Sequence, residues 1–196
     1  MQGYFSIFCL NTLFLMATNG QEQENLKGQY FLAPDFGLML GSINQIEVSP
    51  ALGYYLTDRL SAAAGFNYEF YSQTRTYLNQ PAIKTNIYGP RVFARYTVFQ
   101  NLGDFLPVGI HTALFAHTEF VSNSLEKKYF VYPNYSEKGR FWYSTFLVGG
   151  GISQTASERL RVNVLVLWDT DPGDIPLYSN PIIRFGFQYF FGSMEQ

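Results

Sequence analysis

His111 and His117 are the only imidazoles in this 196-residue chain. Both fall in one extended run, 105–121, and on the same alternate positions. Glu119 shares that face two residues beyond His117 and is placed to orient its ring as a general base. A nucleophile for such a base must come from a neighbouring element, and Ser144 is the candidate, although the sequence does not fix the pairing. The chemistry would be hydrolysis or acyl transfer on a lipid. The alternative is that the histidines complete a polar packing network. Six extended residues hold the two rings about 20 Å apart, too far to share a metal ion. Asp169, Asp171 and Asp174 form an acidic stretch without the spacing of a calcium loop. Gly149-Gly150-Gly151 reads as close packing rather than a phosphate cradle, because the strand–loop–helix context is missing. Cys9 is the one cysteine, and it lies in an N-terminal stretch expected to be removed. Disulfides, thiolate metal sites and a cysteine nucleophile are thereby excluded, and no cofactor or metal site is predicted.

Composition narrows the elements that must position these residues. Thirteen basic and fifteen acidic residues give a net charge of −2, without the basic surplus of a nucleic-acid binder. Charged residues make up only 14% and aromatics 18%, with 19 Phe and 15 Tyr. An ordinary soluble domain carries about 25% charged residues. Mean hydropathy is −0.05, and the only unbroken apolar stretch, Tyr4 to Ala17, is at the N-terminus. A membrane helix bundle is excluded, since each span needs about 20 mostly apolar residues. Strands that cross a membrane need an apolar residue only at every second position, so that class remains open. Residues 1–20 read as a signal peptide cleaved near Gly20, and 21–28 as a short polar segment.

From residue 29 onward the period is two. Ile183, Phe185, Phe187, Tyr189 and Phe191 alternate with Arg184, Gly186 and Gln188. Val162, Val164, Val166 and Trp168 alternate with Arg161, Asn163 and Asp169. Eight such runs follow: 29–41, 45–56, 60–71, 84–98, 105–121, 139–154, 160–169 and 181–191. No helix is predicted past the N-terminal segment. The connections at 57–59, 100–104 and 155–158 are short, whereas 72–83, 122–138 and 170–180 are longer. Only 42–44 breaks this sorting. Short turns at one end and long loops at the other describe an eight-stranded antiparallel transmembrane β-barrel.

Lysines at 27, 84, 127, 128 and 138 lie in termini, loops or strand ends. The charges inside strands are Asp35, Glu47, Glu69, Glu119 and Asp169, with Arg91, Arg95, Arg140, Arg161 and Arg184. Five arginines and five carboxylates on the mixed parity predict a paired network inside the barrel, with the apolar parity facing lipid. Pro34, Pro50 and Pro90 fall within strands and are expected at bulges or rims.

The Pro50–Leu60 segment (PALGYYLTDRL) and the terminal Arg184–Phe191 segment (RFGFQYFF) resemble the small eight-stranded outer-membrane β-barrels of Gram-negative bacteria, the OmpA/OmpX-like group. The resemblance covers about 29–191, with 192–196 as an extension. It implies outer-membrane localisation, a monomer, a polar plugged interior, and a structural, adhesive or defensive role, a few members of the group being lipid-modifying enzymes; the role expected here is structural or surface-interacting, with no catalytic residue assigned. It also implies that Phe185, Phe187, Tyr189 and Phe191 are read by the barrel-assembly machinery. Partners would be outer-membrane lipid and an extracellular ligand at loops 72–83, 122–138 and 170–180, with no nucleic acid. Two alternatives remain at this stage. One is the lipid hydrolase or acyltransferase using His117. The other is a soluble, lipocalin-like carrier with the opposite faces inward.

Overall fold

A computed structural model describes residues 25–39, 43–73, 82–102, 112–130, 137–170, 177–178 and 180–192. The elements are β1 (Tyr30–Leu32), β2 (Asp35–Met39), β3 (Ile43–Ser49), β4 (Ala51–Tyr55), β5 (Leu60–Gln73) and β6 (Ile83–Phe99), followed by β7 (Thr112–Glu126), α1 (Lys127–Phe130), β8 (Arg140–Ser157), β9 (Leu160–Asp169) and β10 (Ile182–Phe190). Every pairing is antiparallel. β1 and β2 together pair with β10 on one side and with β4 and β3 on the other, which closes a ring of eight strands. The register carries Tyr30 through Tyr54, Ala62, Ala94 and Thr118 to Val148 and Trp168. One row of neighbours thus starts near the beginning of β1 and arrives near the end of β9, which is the strand tilt a closed barrel requires.

The period-two pattern becomes two faces. Along β10, Ile182, Arg184, Gln188 and Phe190 are buried, while Ile183, Phe185, Phe187 and Tyr189 are exposed. Leu38, Leu52, Phe66, Val92, Phe120 and Ile152 share the outer face. The large apolar side chains point out and most strand charges point in. This is the reverse of a soluble carrier, so the lipocalin-like alternative fails on its face assignment. Aromatic residues gather at the ends of the outer wall. Tyr30, Tyr54 and Tyr189 lie at the turn end, and Trp142 and Trp168 at the loop end.

Two of the eight expected strands are interrupted, at Pro34 and at Pro50. Neither proline sits at a bulge or a rim. Ala33 and Ala51 exchange both backbone hydrogen bonds, at 2.7 and 3.1 Å. The register with β10 is the same on both sides of Pro34, from Phe31↔Phe190 to Asp35↔Gly186. Each proline lacks only the N–H that would face its outer neighbour, and each carbonyl still accepts: Pro34 from Phe187 at 3.0 Å, Pro50 from Phe66 at 3.0 Å. A single missing donor breaks the strand's continuity without shifting its pairing. The register irregularities are elsewhere, at Thr97/Phe99 and Thr155/Ser157.

Pro90 lies inside β6, in a stretch where the β6–β7 ladder passes from Tyr88↔Ser124 to Arg91↔Val121. The two backbones approach closely there. A Cβ on Gly89 would stand 1.8 Å from the Ser122 carbonyl oxygen. Gly89→Ala is therefore expected to destabilise the barrel by about 3 kcal/mol, because backbone rather than a flexible side chain must move. The urea midpoint in micelles checks this. Gly192→Ala, whose nearest neighbour lies 4.0 Å away, should leave it unchanged.

β7 continues past the expected end at 121, as far as Glu126, and a one-turn helix follows where none was predicted. Ser122, Asn123 and Ser124 read as loop because all three are polar. In the structure Asn123 turns into the lumen, Ser122 meets Ser144 at 3.1 Å, and Ser124 is held by Arg140 at 2.8 Å. The start of the predicted run, 105–111, lies outside the described residues.

Candidate functional site

The interior is layered. At the turn end, Leu26, Phe31, Tyr55, Phe93 and Phe190 pack as one apolar cluster. At the loop end and along β7–β9, Tyr71, Ile87, Leu125, Leu147, Leu165, Leu167 and Ile182 form a second apolar cluster. Between them lies the charged network, so the lumen is not polar throughout.

Arg91 and Arg184 have at most 1% of their surface exposed, and Asp35 has none. Arg91 bonds Asp35 and reaches Glu119 at 3.7 Å. Arg95 meets Asp35 at 3.2 Å. Arg184 Nε donates to Glu47 Oε2 at 2.9 Å, its Nη2 lies 2.8 Å from Glu47 Oε1 as an ion-pair contact, and Nη1 donates to Glu119 at 2.8 Å. Carboxylate and guanidinium alternate from Arg95 through Asp35, Arg91, Glu119 and Arg184 to Glu47. The chain draws on β2, β3, β6, β7 and β10 and spans the lumen. Planar guanidinium forks suit such two-sided bridging. Room for it comes from Gly186, where a Cβ would stand 2.0 Å from Asp35 Oδ1.

His117 sits inside this chain. Arg95 Nε donates to His117 Nδ1 at 3.1 Å, so Nδ1 is the unprotonated nitrogen. Nε2–H then faces Glu119 Oε2 at 3.1 Å. The ring is stacked near Phe93, with centroids 5.0 Å apart. Ser144 lies on the opposite side of the wall: it is exposed and touches Ser122. Ser144, the candidate nucleophile of the lipid-enzyme alternative, therefore does not meet His117, because β8 turns Ser144 out where β7 turns His117 in. His111 lies outside the described residues.

Glu69 is reached by neutral donors. Gln45 Nε2 and Tyr178 Oη each donate at 2.6 Å, and Asn67 Nδ2 donates to the same carboxylate. Asn123 donates to Tyr178 Oη at 3.0 Å. Burial, and after it the adjacent Glu69 carboxylate, push the Tyr178 phenol well above its usual range, so it remains a donor. Gln45, Asn67 and Asn123 carry no charge to mark them in the sequence, although all three share the inward parity of the charges. Tyr178 belongs to the β9–β10 connection, where no periodicity could have pointed it inward.

Three predicted network members lie elsewhere. Arg140 is on the outer parity of β8, over the Tyr88 ring at 4.5 Å and bonded to Ser124. It is a correction to the lumen assignment. Arg161 stacks on Phe190 at 5.3 Å. Asp169 is clasped through its backbone by Asn180, at 2.8 and 3.1 Å. Eight residues of β9 separate Arg161 from Asp169, about 26 Å at strand rise, so they never meet. Gly149 and Gly151 provide close packing as expected: a Cβ on Gly151 would fall 2.7 Å from the Phe115 ring.

Arg95→Ala is expected to lower the unfolding temperature of the micelle-bound protein. It takes a donor from His117 and a partner from Asp35, a loss of roughly 2–3 kcal/mol. Thermal unfolding of wild type and variant side by side would show it.

No protein-family model matches the sequence, and no curated protein does. Solved structures do. The N-terminal β-barrel domain of Pseudomonas aeruginosa OprF superposes with a TM-score of 0.50 at 9% identity, covering 84% of this chain and 98% of that one. The fold is that of the small eight-stranded outer-membrane β-barrels. A designed transmembrane β-barrel also matches, with a TM-score of 0.45, 14% identity and coverage of 85% and 98%. The attachment invasion locus protein Ail of Yersinia pestis gives 0.35 at 5% identity, over 84% and 96%. Identities this low speak to the barrel alone, not to what it does.

Proposed function

We propose that the protein is a monomeric barrel of the Gram-negative outer membrane, with a plugged interior and a structural or surface-interacting role rather than a catalytic one. The observation that carries this reading is the charged chain from Arg95 to Glu47. Its members bond to one another instead of lining a passage, and apolar clusters flank it at both ends. Both nitrogens of His117 are engaged in that chain, which supports a packing role for the ring.

Export behind residues 1–20 with cleavage near Gly20 belongs to this reading. So does recognition of Phe185, Phe187, Tyr189 and Phe191 by the barrel-assembly machinery. All four lie on the outward parity of the terminal strand, and Phe185 and Phe191 are each 58% exposed. An extracellular ligand would meet loops 72–83, 122–138 and 170–180, most of whose residues lie outside the described ones. The test is fractionation with a heat-modifiability gel. Folded protein should be found in outer-membrane fractions, resist SDS until boiled, and then shift. A soluble periplasmic species without a shift would overturn the proposal.

A further inference from the structure

The outer wall carries a furrow of about 600 Å³. Its floor is Ala62 and Ala64 on β5 and Ala94 on β6, with Tyr54 on one bank and Phe120 and Phe146 on the other. Many outward positions carry Leu, Ile, Val, Phe, Tyr or Trp, and small ones such as Ala116 and Gly150 also occur on β7 and β8. Alanine is a poor strand former, and here Ala62 pairs directly with Ala94 while Ala64 follows on the same face, so three small side chains adjoin and hollow the wall. The register tilts the furrow. It begins at Tyr30 and Tyr54 beside the turn end and rises obliquely to Phe120 and Phe146 in mid-wall.

The turn-end rim is polar and carries cations. Tyr54 Oη lies close to Gly28: a Cβ there would be 3.9 Å away. The adjacent Lys27 is exposed, and its backbone N–H is clamped to Asp58 Oδ1 at 3.1 Å, beside Arg59. Among the described residues of this rim, Lys27 and Arg59 stand beside the one carboxylate of Asp58.

We propose that the furrow seats one phospholipid of the leaflet at the turn end. One acyl chain lies over Ala62, Ala64 and Ala94, and the phosphate sits at the rim beside Lys27 and the Tyr54 hydroxyl. A second copy of the chain fits less well. A concave face set against itself across a twofold axis leaves a void, and a void forfeits the dispersion contacts that drive association in lipid. A flexible chain fills it. The proposal rests on the transmembrane reading.

Native mass spectrometry of the folded protein, extracted in mild detergent from membranes containing phosphatidylglycerol and phosphatidylethanolamine, tests it. Wild type should retain one phospholipid. Ala64→Phe with Ala94→Phe should cut the retained fraction at least tenfold, and Lys27→Glu should cut it severalfold. Ala62→Leu serves if the double variant misfolds, and the heat-induced band shift certifies folding in each case. Wild type without bound lipid, equal retention in the filled variants, or a lipid-free dimer would each overturn the proposal. A protein without the band shift would instead mark failure of the transmembrane reading itself.

Discussion

Arg184→Met is expected to destabilise the barrel by about 3–5 kcal/mol, the largest effect of any single substitution in the lumen. Arg184 is fully buried and serves two carboxylates on opposite sides, Glu47 and Glu119. Methionine preserves much of the volume and removes the charge, so two buried carboxylates lose the cation they share. The cost comes from that uncompensated charge, not from the value of the ion pair. The triple variant Arg184→Met, Glu47→Gln, Glu119→Gln should therefore recover a large part of the loss. Urea midpoints in lipid vesicles for the single, triple and wild-type proteins measure the difference. Additive losses would show that the three residues do not act as one unit.

Phe66→Arg addresses the other face. Phe66 lies midway along β5, 46% exposed, and stacks on Tyr88 with centroids 6.3 Å apart. In a bilayer, arginine at this depth should cost about 2–4 kcal/mol. In a water-facing wall the same change would be nearly neutral, since exposed surface substitutions rarely exceed about 0.5 kcal/mol. Reversible unfolding from vesicles distinguishes the two, and a near-zero result would place Phe66 in water.

The barrel was legible in the sequence because its signal is local and repeated. Alternation along 160–169 and 181–191 states both the strand and its two faces, and the two segments fold as β9 and β10. The charged core was legible for the same reason. Asp35, Glu47, Arg91, Arg95, Glu119 and Arg184 share one parity, and closing the ring brings them together. What parity does not carry is height along the barrel or phase at a strand's end. Arg161 and Asp169 share a face yet stand at opposite ends of β9. Arg140 begins β8 on the outer parity, because both parities there mix apolar and polar residues (Trp142, Ser144 and Phe146 against Phe141, Tyr143 and Thr145) and neither marks the inside. Tyr178 was invisible, since a loop that folds back into a lumen leaves no periodic trace. Ser122 to Ser124 looked like a loop because polarity was taken for exposure, where the strand instead finds each of them a polar neighbour.

The two tryptophans provide the most direct test of the central claim, that the apolar wall faces lipid. Trp142 and Trp168 are the only ones in the chain, and both lie on the outer face, 62% and 46% exposed. In vesicles of lipids brominated near the headgroup, their fluorescence should be strongly quenched, while aqueous iodide should quench it little. Strong iodide quenching with no response to the brominated chains would put this wall in water and contradict the account.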